Sequence, residues 1–200
     1  MKNSFFSTLI ATIALLGMSF TLSNGPVSVV NIDTQNSVVN WKGYKVTGEH
    51  YGVVNIRNGN LAFDNGILTG GSFEIDMNTI TCVDLQGEWA DKLVGHLKSD
   101  DFFGVSNFPT SKFIITKVIS KGKPGEYKII GNLTIKGKTK EVKFDSIVKE
   151  SGNNYVAEAA IKIDRSEYDI RYGSGSFFDS LGDKTIYDEF DLNVKLVTKK

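Results

Sequence analysis

Alternation of apolar and polar residues with a period of two runs through this chain and restricts its fold more than any other feature. The segment ending the chain shows it most plainly. Ile186, Phe190, Leu192, Val194 and Leu196 fall on one side, with Glu189, Asp191, Asn193 and Lys195 on the other. Successive side chains of a strand point to opposite faces, so this is the signature of a half-buried strand. The same pattern recurs at Val39 and Trp41 (with an irregularity at Gly43), at Gly52–Arg57, and at Phe73, Ile75 and Met77. It resumes after Pro109 in Ser111–Ser120, which carries Phe113 and Ile115. Three further runs follow: Ile129, Gly131, Leu133 and Ile135; Val142, Phe144 and Val148; and Tyr155, Ala157, Ala159, Ile161 and Ile163. Turn signals separate them: Asn58-Gly59, Asp64-Asn65-Gly66, Lys123-Pro124-Gly125, Gly137 and Gly152-Asn153-Asn154. About eight strands joined mainly by hairpins predict an all-β fold, an antiparallel sheet closed into a barrel that leaves no edge exposed.

The period changes once. Leu85, Trp89, Leu93 and Leu97 recur every four positions, Val94 widens the stripe, and Asp84 is placed to cap the first turn. The spacing predicts one short amphipathic helix over 84–97 with Trp89 on its covered face. It serves either as a lid over one end of the sheet or as cover for a sheet edge.

The first 23 residues are different in kind. Lys2 precedes an apolar run from Phe5 to Phe20, and Thr21 and Ser23 suit the small-residue positions before a cleavage site. This predicts a secretory signal peptide over residues 1–23, and hence an exported protein, periplasmic or secreted. An uncleaved anchor would want nearer twenty strictly apolar residues, about the length that spans a bilayer. Residues 30–200 show no linker, repeat or low-complexity tract and read as one domain.

Charge and composition exclude several functions. Lys and Arg number 23 against 23 Asp and Glu, so the basic excess that binds nucleic acid is missing. Losing the leader removes one lysine and no acid, which leaves a net charge of −1. The single cysteine, Cys82, makes neither an internal disulfide nor a zinc cage, and reads as a small buried hydrophobe. No glycine-rich phosphate loop or nucleophile elbow is present, and no metal site or cofactor is expected. His96 lies near Asp100 and Asp101, a pattern compatible with a base and its orienting carboxylate. A role in ending the helix is the plainer reading. The adjacent acids Asp100/Asp101 and Asp188/Glu189 point apart in extended chain, which suits solvation or capping more than acid–base work. For His50, beside Tyr51 at a strand start, a structural hydrogen bond is expected.

Four segments together resemble the YceI-like family of polyisoprenoid-binding proteins. They are Asp33–Ser37; His96–Phe103 with Asn107–Phe113; the hairpin Gly131–Lys140; and Asp164–Ile170. The resemblance extends over about residues 30–197. It implies an eight-stranded antiparallel barrel of lipocalin-like shape, with an apolar channel for the chain of an isoprenoid quinone or a related polyprenyl lipid. On that implication the lining residues are Trp41, Phe73, Ile75, Phe113, Ile115, Leu133, Ile135, Phe144, Ala157, Ala159 and Ile161. Trp89 lies on the helix over the barrel, and His96, Phe102 and Phe103 shape the mouth. Plain core packing is the competing role for each of them. The chain departs from the family's habit at Lys136, where histidine is frequent, and at Tyr168-Asp169, where Phe-Gly is. It also carries a longer segment at Gly173–Phe178.

The expected function is therefore lipid carriage or storage without membrane spanning and without nucleic acid; the sequence leaves open whether the carrier is a homodimer. The alternative is an enzyme of isoprenoid or quinone lipid metabolism that uses His96 as acid or base. An outer-membrane barrel would turn the apolar faces outward, against the mid-chain helix and the Lys199-Lys200 end.

Overall fold

The computed structural model describes residues 27–199. The leader expected over residues 1–23 lies outside them. Nine strands form the fold: β1 (Ser28–Asn31), β2 (Val38–Lys45), β3 (Gly48–Asp64), β4 (Ile67–Cys82), β5 (Thr110–Ser120), β6 (Glu126–Ile135), β7 (Lys138–Ser151), β8 (Asn154–Asp164) and β9 (Ile186–Val197). A helix, α1 (Gly87–Lys98), follows β4, and two 3-10 turns, Arg165–Tyr168 and Gly182–Lys184, lie between β8 and β9.

All neighbouring strands are antiparallel, in the order β3-β2-β9-β8-β7-β6-β5-β4, and β4 pairs back to β3. The result is a closed ring of eight. The ninth strand adds no place to it, because β1 and β2 share one edge of the long β3. β2 takes Gly48–Val54 and β1 takes Asn60–Phe63. The Asp33 amide donates to the Val197 carbonyl at 2.7 Å, tying β1 to the end of β9. Inward residues of every strand meet in one core, while basic and acidic side chains pair outside, as in Arg57–Glu74 and Lys162–Asp191.

Two local expectations are corrected. Asn58-Gly59 is no turn; β3 runs straight through it with register shifts after Val53 and Ile56. Gly59 is there for closeness, since a Cβ would stand 2.7 Å from the Phe73 ring. The hairpin lies at Asn65-Gly66, both at positive φ. The helix also starts later than expected, at Gly87, behind Gln86 with no side-chain cap. Asp84 is occupied elsewhere. Its carboxylate accepts from the Tyr51 amide at 2.8 Å and the Cys82 thiol at 3.2 Å, and pairs with His50 Nδ1 at 2.8 Å. His50 thus makes the structural bond expected of it. Burial alone would raise the Asp84 carboxyl, but these bonds outweigh it and hold the group down at about 2. Burial pushes the Cys82 thiol up, away from the reactive thiolate form.

Above this cluster β3 and β4 approach very closely. Trp41 reaches across Gly52 to donate its indole N–H to the Thr81 carbonyl at 3.0 Å. A Cβ on Gly52 would sit 1.8 Å from that oxygen and 2.8 Å from the indole. Gly52→Ala is therefore expected to destabilise the fold by about 3 kcal/mol, the upper range for overpacking. Urea unfolding measures this, and Trp41 emission in a Trp89→Phe background should shift to the red. Asp84 gives a pH test. Its folded pKa lies below the ordinary aspartate value of about 3.9, so its stabilisation is full above about pH 4 and is lost as pH falls through about 2. Asp84→Asn should cost about 2 kcal/mol at pH 7, with the gap to wild type closing toward pH 2 in urea titrations.

Candidate functional site in the barrel interior

Two apolar lobes, each of about 120 Å³, occupy the barrel axis. Val39, Ile75, Leu133 and Leu192 border both and form a waist between them. The first lobe collects Phe73, Phe113, Ile115, Phe144, Ala157, Ala159 and Ile161, with Ser146 and Glu158 as its polar members. The second takes Trp41, Ile135, Phe102 and Phe103, and reaches Arg165 and Ser111. The structure thus brings together the inward residues expected from the alternation, and Phe102 and Phe103 with them.

Glycine and alanine act differently here. At Gly131 the missing side chain leaves no void, because the Phe113 ring covers it; a Cβ would lie 2.4 Å from that ring. Phe113 thereby spans β6 to meet Phe144 at 5.5 Å between centroids, and it stacks parallel to Phe73 at 6.4 Å. Ala157 and Ala159 do border open space.

Trp89 is not on the covered face. It is 71% exposed, with the Lys92 ammonium 5.2 Å from its ring. Burial rises along α1 from its exposed first turn through Leu93 and Val94 to Leu97, so the first turn projects beyond what the barrel covers. His96 borders neither lobe. Its ring packs edge-on against Tyr172 and Phe102, and Nε2 is buried without a hydrogen-bond partner among the described residues.

The residue the sequence reading passed over is Arg165, 2% exposed. Nε donates to the Tyr187 carbonyl, Nη1 to those of Ile170 and Tyr172, and Nη2 to that of Ile186, at 2.8–3.1 Å. Asp188 Oδ1 lies 3.2 Å from Nη2, close enough for an ion pair but poorly aligned for a hydrogen bond. The other Asp188 oxygen accepts from the Ser176 hydroxyl at 2.6 Å, tying in the Gly173–Phe178 segment. Asp188, expected in a solvated or capping role, is instead the counter-charge of a buried cation. Burial lowers the Arg165 pKa, and Asp188 opposes the change. Alternation carried a signal: Ala157, Ala159, Ile161 and Ile163 face inward, and Arg165 continues that row.

The departures at Tyr168-Asp169 fit the backbone. Asp169 adopts φ 63°, a left-handed position that glycine takes freely and Asp tolerates. Tyr168 is fully buried, and burial pushes its hydroxyl up to about 12. Lys136 donates to the Asp100 carbonyl at 2.7 Å, joining the β6–β7 turn to the loop after α1.

The model of the YceI-like domain matches residues 30–198. The chain belongs to the YceI-like family. Among curated relatives it is 39% identical over 84 residues to a UPF0312 protein of Shewanella denitrificans, covering 42% of this chain and 41% of that one. It is 34% identical over 121 residues to a UPF0312 protein of Pectobacterium atrosepticum, covering 56% and 60%. The chain spans about half the length of the curated relatives it matches. Solved YceI-like barrels share the fold at low identity. Burkholderia cenocepacia BcnA superposes with TM-score 0.66 at 19% identity, covering 84% of this chain and 99% of its own. A polyisoprenoid-binding domain of Saccharophagus degradans, implicated in plant cell wall breakdown, gives 0.63 at 11%, covering 87% and 99%.

Arg165→Lys in this YceI-like barrel is expected to cost about 3 kcal/mol, since one ammonium has three donors and no planar fork to serve four carbonyls. Urea unfolding gives the loss, and hydrogen exchange should show the 170–188 segment opening first.

Proposed function

We propose that this protein is exported and carries the chain of an isoprenoid quinone or another polyisoprenoid through water, for transport or storage. The observation that carries the reading is the pair of adjoining apolar lobes along the barrel axis. The polyisoprenoid-binding domain of the same fold supports it. A chain of four isoprene units has about twenty carbons, and burial at about 0.8 kcal/mol per carbon gives about 16 kcal/mol gross. Ordering the chain and losing its free motion offset much of that.

The surface favours a carrier in water over a membrane barrel. Apolar rows face inward and charged ones outward, and no helix among the described residues is long and apolar enough to cross a bilayer. The packing of His96 against Phe102 and Tyr172 favours a structural role for it over proton transfer.

Native mass spectrometry of protein purified from its own host, with lipid extraction, tests the proposal. A co-purifying prenyl compound is expected. A protein that is empty and takes up neither quinones nor polyprenols of any tail length would sink it. Leu133→Trp, filling the waist, should weaken binding of long tails about tenfold or more while sparing tails short enough for one lobe. A tail-length series measured by titration reads this out.

A further inference from the structure

Each end of the barrel carries a buried cluster. At the α1 end, Phe102, Val105, Arg165, Tyr168 and Ile170 are each no more than 8% exposed. Opening it would break the Arg165 clasp. At the far end Phe63 stacks on Tyr155 at 3.9 Å, and Ile32 and Thr198 are buried beside the hairpin tips.

The wall is weaker than the ends at one place. β7 pairs with β8 only from Ser151↔Asn154 to Ser146↔Ala159. Yet β7 continues to Lys138, paired with β6 throughout, and β8 continues to Asp164, paired with β9 throughout. From Asp145 and Ala160 onward the facing edges of β7 and β8 share no ladder. The 3-10 turn Arg165–Tyr168 packs against β7 and closes the bottom of this split. What remains is a window in the wall, not a slit running to the end.

Inside and outside come close at the window's upper rim, on the last rungs of the β7–β8 ladder. Ser146, Glu158, Ala159 and Val194 line both the first apolar lobe and a groove of about 580 Å³ on the outer surface. The side chains at its upper rim are small: Ser146, Ala159 and Ala160. The Ser146 hydroxyl donates to the Glu158 carbonyl at 3.0 Å, the last side-chain tie across the seam. The β4–β5 ladder is also short, but side chains bridge that gap. Tyr127 accepts there from the Leu68 amide at 3.4 Å, and the Ile115 side chain packs over Gly71.

We infer that an apolar chain enters and leaves the barrel sideways, through the window between β7 and β8, with both ends remaining closed. The inference rests on the proposal that a prenyl chain is the occupant. A slim chain passing at this place breaks no strand ladder, whereas passage through either end must undo a buried hydrogen-bond cluster or an aromatic stack. The polar groove outside, with Lys121, Asp145, Asn193 and Lys195, keeps water on the unpaired backbone edges until the chain has passed.

The test is kinetic. Asp145→Cys and Ala160→Cys, in a Cys82→Ala background, are joined by a short bismaleimide across the seam. Asn132→Cys and Glu141→Cys, joined in the same way across the intact β6–β7 ladder, serve as control. Stopped-flow uptake and release of dansyl-labelled geranylgeraniol is measured before and after linking. Linking the seam is expected to slow both rates at least about tenfold with Kd unchanged within about threefold, and linking the control pair to change neither. Ala160→Trp, which covers the window from the outer groove without a linker, should slow exchange in the same way. Exchange at the wild-type rate in both the linked seam and Ala160→Trp overturns the window. Failure of the unmodified protein to take up the probe overturns the carrier proposal, and the window with it.

Discussion

Closing eight strands into one ring decides most of what else this chain does. A ring has no free edge, so each strand must hold two neighbours and turn alternate side chains into a shared interior. That interior is too narrow for a water-filled pore and wide enough for side chains with a little space left over. The circumference is fixed by pairing, as the sharing of one β3 edge by β1 and β2 shows. Where strands come too near for a side chain, the sequence supplies glycine. At Gly52 the room goes to an indole reaching the Thr81 carbonyl, and at Gly131 to a phenylalanine ring crossing β6.

A ring still has two ends, and they are closed by different physics. The far end is stopped with apolar and aromatic side chains from the hairpin tips. At the α1 end a buried guanidinium gathers carbonyls from Ile170, Tyr172, Ile186 and Tyr187. An irregular segment of this kind has carbonyls that no ladder satisfies, and burying them unpaired would be costly. Arginine answers that need with donors in a fixed planar fork, and Asp188 balances the charge. The segment from Ile170 to Asp188 is thus held by one side chain more than by regular structure.

Strands were legible in the sequence because each has a wet side and a dry side, and that contrast is local. The inward rows of β6, β8 and β9 could be read residue by residue for this reason. What escaped reading depended on contacts distant in sequence. Asn58-Gly59 has the composition of a turn, but the Phe73 ring from the next strand claims the space at Gly59. Asp84 has the chemistry of a helix cap, but the Tyr51 amide and His50 hold it first. Trp89 keeps helical phase with Leu93 and is exposed all the same, because phase does not say how far a helix overlaps its support. Arg165 stood in an inward row, where the rule that charges stay outside concealed it. The YceI-like resemblance reached the fold but not these details.

Those lobes bear on why the proposed carrier keeps them. Protein interiors are ordinarily packed to crystal-like density, and empty space costs about 24 cal/mol per Å³ in core-truncation series. At that rate each lobe of about 120 Å³ costs the empty barrel about 3 kcal/mol. Replacing Ala157 and Ala159 with larger residues is the direct remedy, yet the chain keeps alanine at both. An apolar cavity of about 150 Å³ takes up benzene, so either lobe as it stands suits a fragment the size of one isoprene unit. A longer chain must move the waist residues or the Phe113–Phe144 pair. That movement is opposed by packing and favoured by apolar burial, which grows with each carbon added. Stability and binding are then linked: an occupant that fills the voids recovers part of their cost, and the occupied barrel is the more stable state.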